Sequence, residues 1–305
     1  MLDLNFSYAQ CVANSERVSW RLDDVMPLDA EVDLSRPLLP AALAAQGDLI
    51  WLTEREQLVL NHLAGNAYLN LFQFVEEFIL CTVVEHAQGE LFGDHENIRA
   101  LVRFADEEIK HQQLFKRFRV AFDRAFGRPH KVLENAAEVA EIVLSKSPIG
   151  VMLVILHIEL MTQDHYTQSV KGNDDIDPFF ALLLEKHWLE ESQHARIDAL
   201  ELDKLASQAS PEQIAQGFRD YLDLLAAFDG LLAAQAKMDL ETFAEATGRA
   251  LSDDENETLC AAQLAGYRRT FLVAGLRSPQ FVRWTRAMRP AHTDELESSA
   301  ARWSA

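Results

Sequence analysis

Cysteine, glycine and proline are all scarce in this sequence, and basic residues are outnumbered. Only three cysteines, Cys11, Cys81 and Cys260, occur in 305 residues, and no two form a Cys-x-x-Cys pair. That excludes a disulfide framework and a thiolate zinc knuckle, and it fits a reducing cytoplasm. The 12 glycines and 9 prolines build no Gly-rich phosphate or dinucleotide loop and no Gly-x-Ser-x-Gly elbow. Nucleotide-dependent chemistry and Ser-His-Asp hydrolysis therefore find no support. Lys and Arg number 28 against 48 Asp and Glu, a formal net charge of −20. Nucleic acids and anionic membrane surfaces are bound through clustered basic residues, so neither is expected as a partner. The opening MLDLNFSYAQ has no basic region followed by an apolar stretch, as a signal peptide would. The most apolar run, residues 149–156, is too short to cross a bilayer. The expectation is a soluble, cytoplasmic protein.

Long stretches free of glycine and proline point to an all-α fold. Residues 1–50, with Pro27, Pro37 and Pro40, read as an irregular arm packed on the body. Residues 51–305 read as a single helical domain without a dividing linker. A helix is expected over 54–87, broken near Gly65, then one over 95–126 stopped by Gly127-Arg-Pro129. A third covers 131–144. Ser147-Pro148 starts a fourth, which ends by Gly172. Pro178 opens a fifth, Ser210-Pro211 a sixth, and Ser252 caps a seventh.

Two of these helices carry Glu-x-x-His pairs, Glu108–His111 and Glu191–His194. The second has a further histidine one turn earlier, His187. Residues three and four apart share one helix face, so each segment can present its carboxylate and imidazoles to one point. Composition alone yields about one Glu-x-x-His match in such a chain, so the pairs gain weight from context. Each is preceded by a helix bearing a glutamate among apolar residues. Glu159 lies in VMLVILHIELM, where a lone buried charge is costly unless paired or metal-bound. In LNLFQFVEEFIL, Glu76 lies about 70° from the centre of the apolar face and Glu77 nearly opposite. Glu76 is the choice, with Glu77 the alternative. Glu107 and Glu190 point about 100° away from their motif neighbours and are expected to be solvated. Glu85 and His86 read as surface or supporting groups. The order Glu, Glu-x-x-His, Glu, Glu-x-x-His is that of a dinuclear iron or manganese site in a four-helix bundle of ferritin-like type. Four carboxylates balance two divalent ions, and imidazole adds affinity for iron. His187 has a plainer reading as an ion-paired neighbour of Glu191.

The constellation resembles the AurF-like diiron oxygenases, typified by p-aminobenzoate N-oxygenase, within the ferritin-like superfamily. KHWLEESQHARI matches that family's His-x-x-x-Glu-x-x-His at His187, Glu191 and His194. FADEEIKHQQLF matches at Glu108 and His111, and HIELMTQ at Glu159. In AYLNLFQFVEEFI, Tyr68 precedes Glu76 by eight residues, as in the family's first ligand helix. The Glu76–Glu108 spacing is a few residues shorter than the family's, which keeps Glu77 open. The resemblance covers residues 54–200. It implies two iron ions, O2 as co-substrate, an external electron donor, and oxidation of an amine to hydroxylamine or on to nitroso or nitro. It further implies that Glu108 and Glu191 bridge the irons, with Glu76 and His111 on one and Glu159, His187 and His194 on the other. An aryl, aliphatic or carrier-bound amine fits this reading, and so does a homodimer. Tyr68, Phe72, Tyr166 and Trp188 are candidate pocket residues or plain core. Arg196 is a candidate anchor for a substrate carboxylate or a support for the glutamates. The alternatives are another bundle oxidase acting on C–H bonds or thiols, and a non-catalytic iron-binding protein.

Overall fold

The structure is a computed structural model that describes residues 4–44 and 49–304. Those residues form helices and connecting turns, with no strand among them. The fold class is all-α, as expected. Four long helices build the core: α4 (Glu54–Gly89), α5 (His95–Phe126), α7 (Pro148–His165) and α8 (Pro178–Gln208). α4 packs along α5, joined by the short turn 90–94, and α7 packs along α8, joined by a further helical turn and a loop over 166–177. The described part of the amino-terminal segment holds α1 (Tyr8–Val18), α2 (Leu22–Val25) and α3 (Ala41–Ala44). α6 (Ala136–Leu144) and α9 (Pro211–Thr247) cover the α4/α7 side. The chain closes with α10 (Asp253–Arg268), α11 (Ala274–Leu276), α12 (Pro279–Met288) and α13 (His292–Ser304).

The helix ends follow local chemistry. Thr53 and Glu56 form a capping box at α4, and Asp94 caps α5 through the Glu96 amide. Gly127, at φ 79°, ends α5 in the left-handed region that glycine adopts without strain. Asp177 accepts from the Phe180 amide at 2.7 Å to start α8.

Three expectations are corrected. α4 runs unbroken through Gly65. The glycine is there for space: a Cβ at position 65 would meet Leu38 Cβ at 2.7 Å. The arm is not wholly irregular. Ser7 and Gln10 form a capping box for α1, and α1 then packs on α5 and α8. The third helix begins at Ala136 rather than 131. Its expected first turn is extended because other helices take its backbone groups. Leu133 donates its N–H to Gln235 Oε1 (3.1 Å), and Gln235 Nε2 donates to the Lys131 carbonyl (3.2 Å).

α4 is long and apolar enough to cross a membrane by length and composition, but 72% of that stretch is buried inside the protein. It is the central helix of the core, and it carries the first candidate ligand.

Candidate metal centre

Seven side chains converge from four helices. Glu76 comes from α4, Glu108 and His111 from α5, and Glu159 from α7. His187, Glu191 and His194 come from α8. None is more than 3% exposed. The choice between the adjacent glutamates of α4 follows from packing: Glu76 is buried and its Oε1 lies 3.2 Å from His187 Nε2, whereas Glu77 is half-exposed.

The ligand-type atoms form two overlapping groups. Glu76, His111, His187 and Glu191 make one, and Glu108, His111, Glu191 and His194 make the other, with the atoms of each group within 4.8 Å of one another. Glu191 and His111 belong to both. Glu159 lies outside both groups and hydrogen-bonds Glu191. The resemblance sets His187 with Glu159 and His194, but the structure sets it against Glu76 and against Glu191 Oε1, 2.9 Å away. The cause is helix rise. Seven residues of α8 advance about 10 Å, so His187 and His194 flank Glu191 at opposite ends of the site.

The donor atoms fit a pair of cations. Glu76 Oε2, Glu108 Oε2 and Glu159 Oε2 are buried without a hydrogen bond, while His111 Nδ1 and His194 Nδ1 meet only cluster carboxylates, Glu191 Oε1 and Glu108 Oε1, each at 2.9 Å. Leaving such atoms unmade costs about 1–3 kcal/mol each. Bound cations would satisfy carboxylate oxygens and imidazole lone pairs together.

The outer edges of two imidazoles are held by carboxylates. His194 Nε2 donates to Glu107 Oε2 at 3.0 Å, and His111 Nε2 donates to Glu190 Oε2 at 2.9 Å. With Nε2 held by its carboxylate, Nδ1 is the inward atom: without metal it carries a proton toward Glu191 (His111) or Glu108 (His194), each at 2.9 Å, and it would offer its lone pair once a cation displaces that proton. This corrects the expectation that Glu107 and Glu190 are solvated. A 100° turn away from the motif glutamate aims each of them at the facing helix, not at water. α1 and the residues just after it reinforce this side: Ser15 Oγ donates to Glu107, and Trp20 stacks on His111 with ring centroids 6.1 Å apart.

Burial and mutual repulsion set the protonation of the cluster without metal. Burial, then Glu108 and Glu191, push the Glu76 carboxyl well above the usual carboxylate range. Burial and Glu191 do the same to Glu159. Burial would also raise Glu191, but His187 and His194, with hydrogen bonds from its neighbours, hold it well below. Glu159 thus keeps its proton and donates it to Glu191. Burial disfavours a charged His111, yet Glu190 and Glu191 outweigh it and push the imidazole up to about 9.

No known protein family matches the sequence, and no curated protein matches it. Among solved structures, the chain is similar to an R2-like ligand-binding oxidase with an aerobically reconstituted metal cofactor. The TM-score is 0.47 at 14% identity, over 88% of this chain and 93% of that one. A tyrosine-to-phenylalanine variant of such an oxidase, with an anaerobically reconstituted Mn/Fe cofactor, gives 0.47 at 14% over 92% and 95%. At that identity and score the likeness carries nothing about this chain's activity.

The aromatic candidates all make packing contacts. Tyr68 hydrogen-bonds His165 Nδ1 at 3.0 Å, Phe72 meets His187 edge-on at 5.4 Å, and Tyr166 stacks on Trp188 at 4.5 Å. Arg196 bonds Gln193 Oε1 at 3.2 Å and lies over the Phe6 ring, in a surface groove away from the cluster. A group that sequence reasoning missed is Asp198, 1% exposed with Oδ2 unpartnered. It lies one turn past His194. Beyond it, Glu201 accepts from Tyr8 (2.6 Å) and Asn97 (3.0 Å) and pairs with His86 (2.7 Å). The signal was present: His187, Glu191, His194, Asp198 and Glu201 are spaced four, three, four and three apart, one continuous face of α8.

Proposed function

We propose that this protein is an O2-dependent oxidase whose four-helix core holds two iron ions and which oxidises an amine. The observation that carries the reading is the convergence of buried carboxylate oxygens and imidazole Nδ1 atoms that meet only one another, backed by carboxylates on the outer imidazole nitrogens. Glu76, Glu108, Glu159, Glu191, His111, His187 and His194 would hold the metals. Four carboxylates neutralise two divalent ions, and the mixed oxygen and nitrogen set suits iron or manganese better than a closed thiolate zinc site. When bound and reduced by an external donor, such a pair supplies O2 activation.

The residues do the rest. Glu191, whose carboxylate belongs to both groups, would be a ligand shared between them. Glu107 and Glu190 fix the tautomers of His194 and His111. Glu159 holds a proton against Glu191, from which it can leave as a cation arrives. α1 closes the histidine side against water, consistent with a reaction kept away from solvent. Amine oxidation rests on the motif resemblance, chiefly on His187. An oxidase acting on C–H bonds would use the same cluster. A cytoplasmic setting fits the three unpaired cysteines.

The test is metal content followed by turnover. Protein made in iron-replete medium is expected to hold two irons per chain. With O2, a reductant and a panel of amines, it should give hydroxylamine, nitroso or nitro products by mass spectrometry. One zinc per chain would overturn the proposal. Two irons with products only from C–H or thiol substrates would overturn its amine half.

A further inference from the structure

A cavity of about 140 Å³ lies between α4 and α7, outside the metal cluster. Val75 and Phe78 of α4, Val154 and Ile158 of α7, Leu225 of α9 and Phe271 form its walls. Its mouth is between α6 and α9, at Ile142, which is 54% exposed, and at the exposed Ala227.

A layer of side chains separates the cavity from the candidate centre. Val75 and Ile158 immediately precede Glu76 and Glu159. Phe271 rests on Phe72, with ring centroids 5.7 Å apart, and Phe72 in turn rests on His187. The cavity therefore approaches from the glutamate side of the bundle, while α1 covers the α5/α8 side.

Its chemistry is unusually uniform. Among the described lining residues, His157 alone has a polar side chain, and both its nitrogens are occupied. Nδ1 accepts from Tyr221 Oη at 2.8 Å, and Nε2 donates to the Phe271 carbonyl at 3.0 Å. Gly275 permits that ring to sit where it does, since a Cβ there would collide with it. None of the described lining residues is charged. Taking a carboxylate or ammonium out of water with no partner costs several kcal/mol. A dry apolar cavity of about 150 Å³, by contrast, binds benzene.

We propose that this cavity seats the uncharged, ring-sized hydrocarbon part of the substrate. The proposal rests on the oxidase reading for its link to the metals. The substrate then enters between α6 and α9 and is held by shape and apolar contact. The cavity's described lining offers no carboxylate anchor, and Arg196 lines a separate surface groove.

The probe is toluene, with benzoate and benzylammonium as charged controls of similar size, followed by ligand-observed NMR on the full chain. Toluene is expected to bind, and both charged controls to bind at least tenfold more weakly. Ala227→Trp at the mouth and Leu225→Phe inside should each weaken toluene at least tenfold without changing metal content. Ala227 is exposed, so its replacement leaves folding intact. In manganese(II)-loaded protein the bound toluene protons should relax faster than in metal-free protein. Equal binding of benzoate, or toluene binding untouched by both variants, would overturn the proposal. Unchanged relaxation on metal loading would overturn its link to the centre. A chain that takes up no metal pair would refute the oxidase reading, while toluene binding to the metal-free chain still decides whether the cavity is a site.

Discussion

Glu107 on α5 accepts the Nε2 proton of His194 on α8 at 3.0 Å. The reverse pairing also exists, Glu190 on α8 with His111 on α5 at 2.9 Å. Each Glu-Glu-x-x-His segment thus uses its second glutamate in its own cluster and its first to hold the histidine of the other segment. The two motifs lock each other, so neither half of the site is positioned by its own helix alone.

Glu107→Ala and Glu190→Ala should each weaken metal binding by about 10–100-fold, the usual cost of losing a carboxylate behind a ligating histidine. Competition against a chelator measures it. Affinity unchanged in both variants would mean the pairs only fill space.

Glu76→Ala should cut metal content below two per chain, whereas Glu77→Ala should leave it intact. Only Glu76 faces His187. Elemental analysis of the two variants decides. Equal loss from both would return Glu77 to the ligand set.

Metal uptake at neutral pH should release protons. Glu76 and Glu159 are held well above the carboxylate range, and His111 is pushed up to about 9, so all three carry protons that a cation must displace. Calorimetry in buffers of different ionisation enthalpy counts them. The same shifts predict the stability of the metal-free chain. His111 lies above its ordinary 6.5 when folded. Its contribution is complete below pH 6.5 and is lost as pH rises through about 9. The raised glutamates act in the same direction. Tm of metal-free protein should therefore fall across that interval, and Tm of loaded protein should fall less. A flat metal-free profile would contradict the assignment.

Gly65→Ala should destabilise the protein by about 1–3 kcal/mol, the range for overpacking. Alanine is the better helix former by about 1 kcal/mol, but its methyl would meet Leu38 Cβ at 2.7 Å. Denaturant unfolding measures the net effect. A gain in stability would show that the Leu38 segment yields easily.

The helices were legible because their signals are local. Thr53, Asp94, Ser210 and Ser252 are caps within three residues of what they bind, and Gly127 stops α5 in place. The extended segment before α6 was not legible, because Gln235 holds it from about a hundred positions away. The Ser7–Gln10 capping box that starts α1 is just as local a signal.

The sequence by itself determined which atoms can share a face. Spacings of three and four on α5 and α8 put Glu108 with His111, and His187 with Glu191 and His194, whatever surrounds them. Only the tertiary structure decided what those faces meet. It buried Glu107 and Glu190 against the opposite histidines and set His187 on Glu76. It also left an apolar cavity between the two helices that carry Glu76 and Glu159. The reason is that helical periodicity fixes direction around one axis, while burial, pairing and empty space depend on where the neighbouring axes lie.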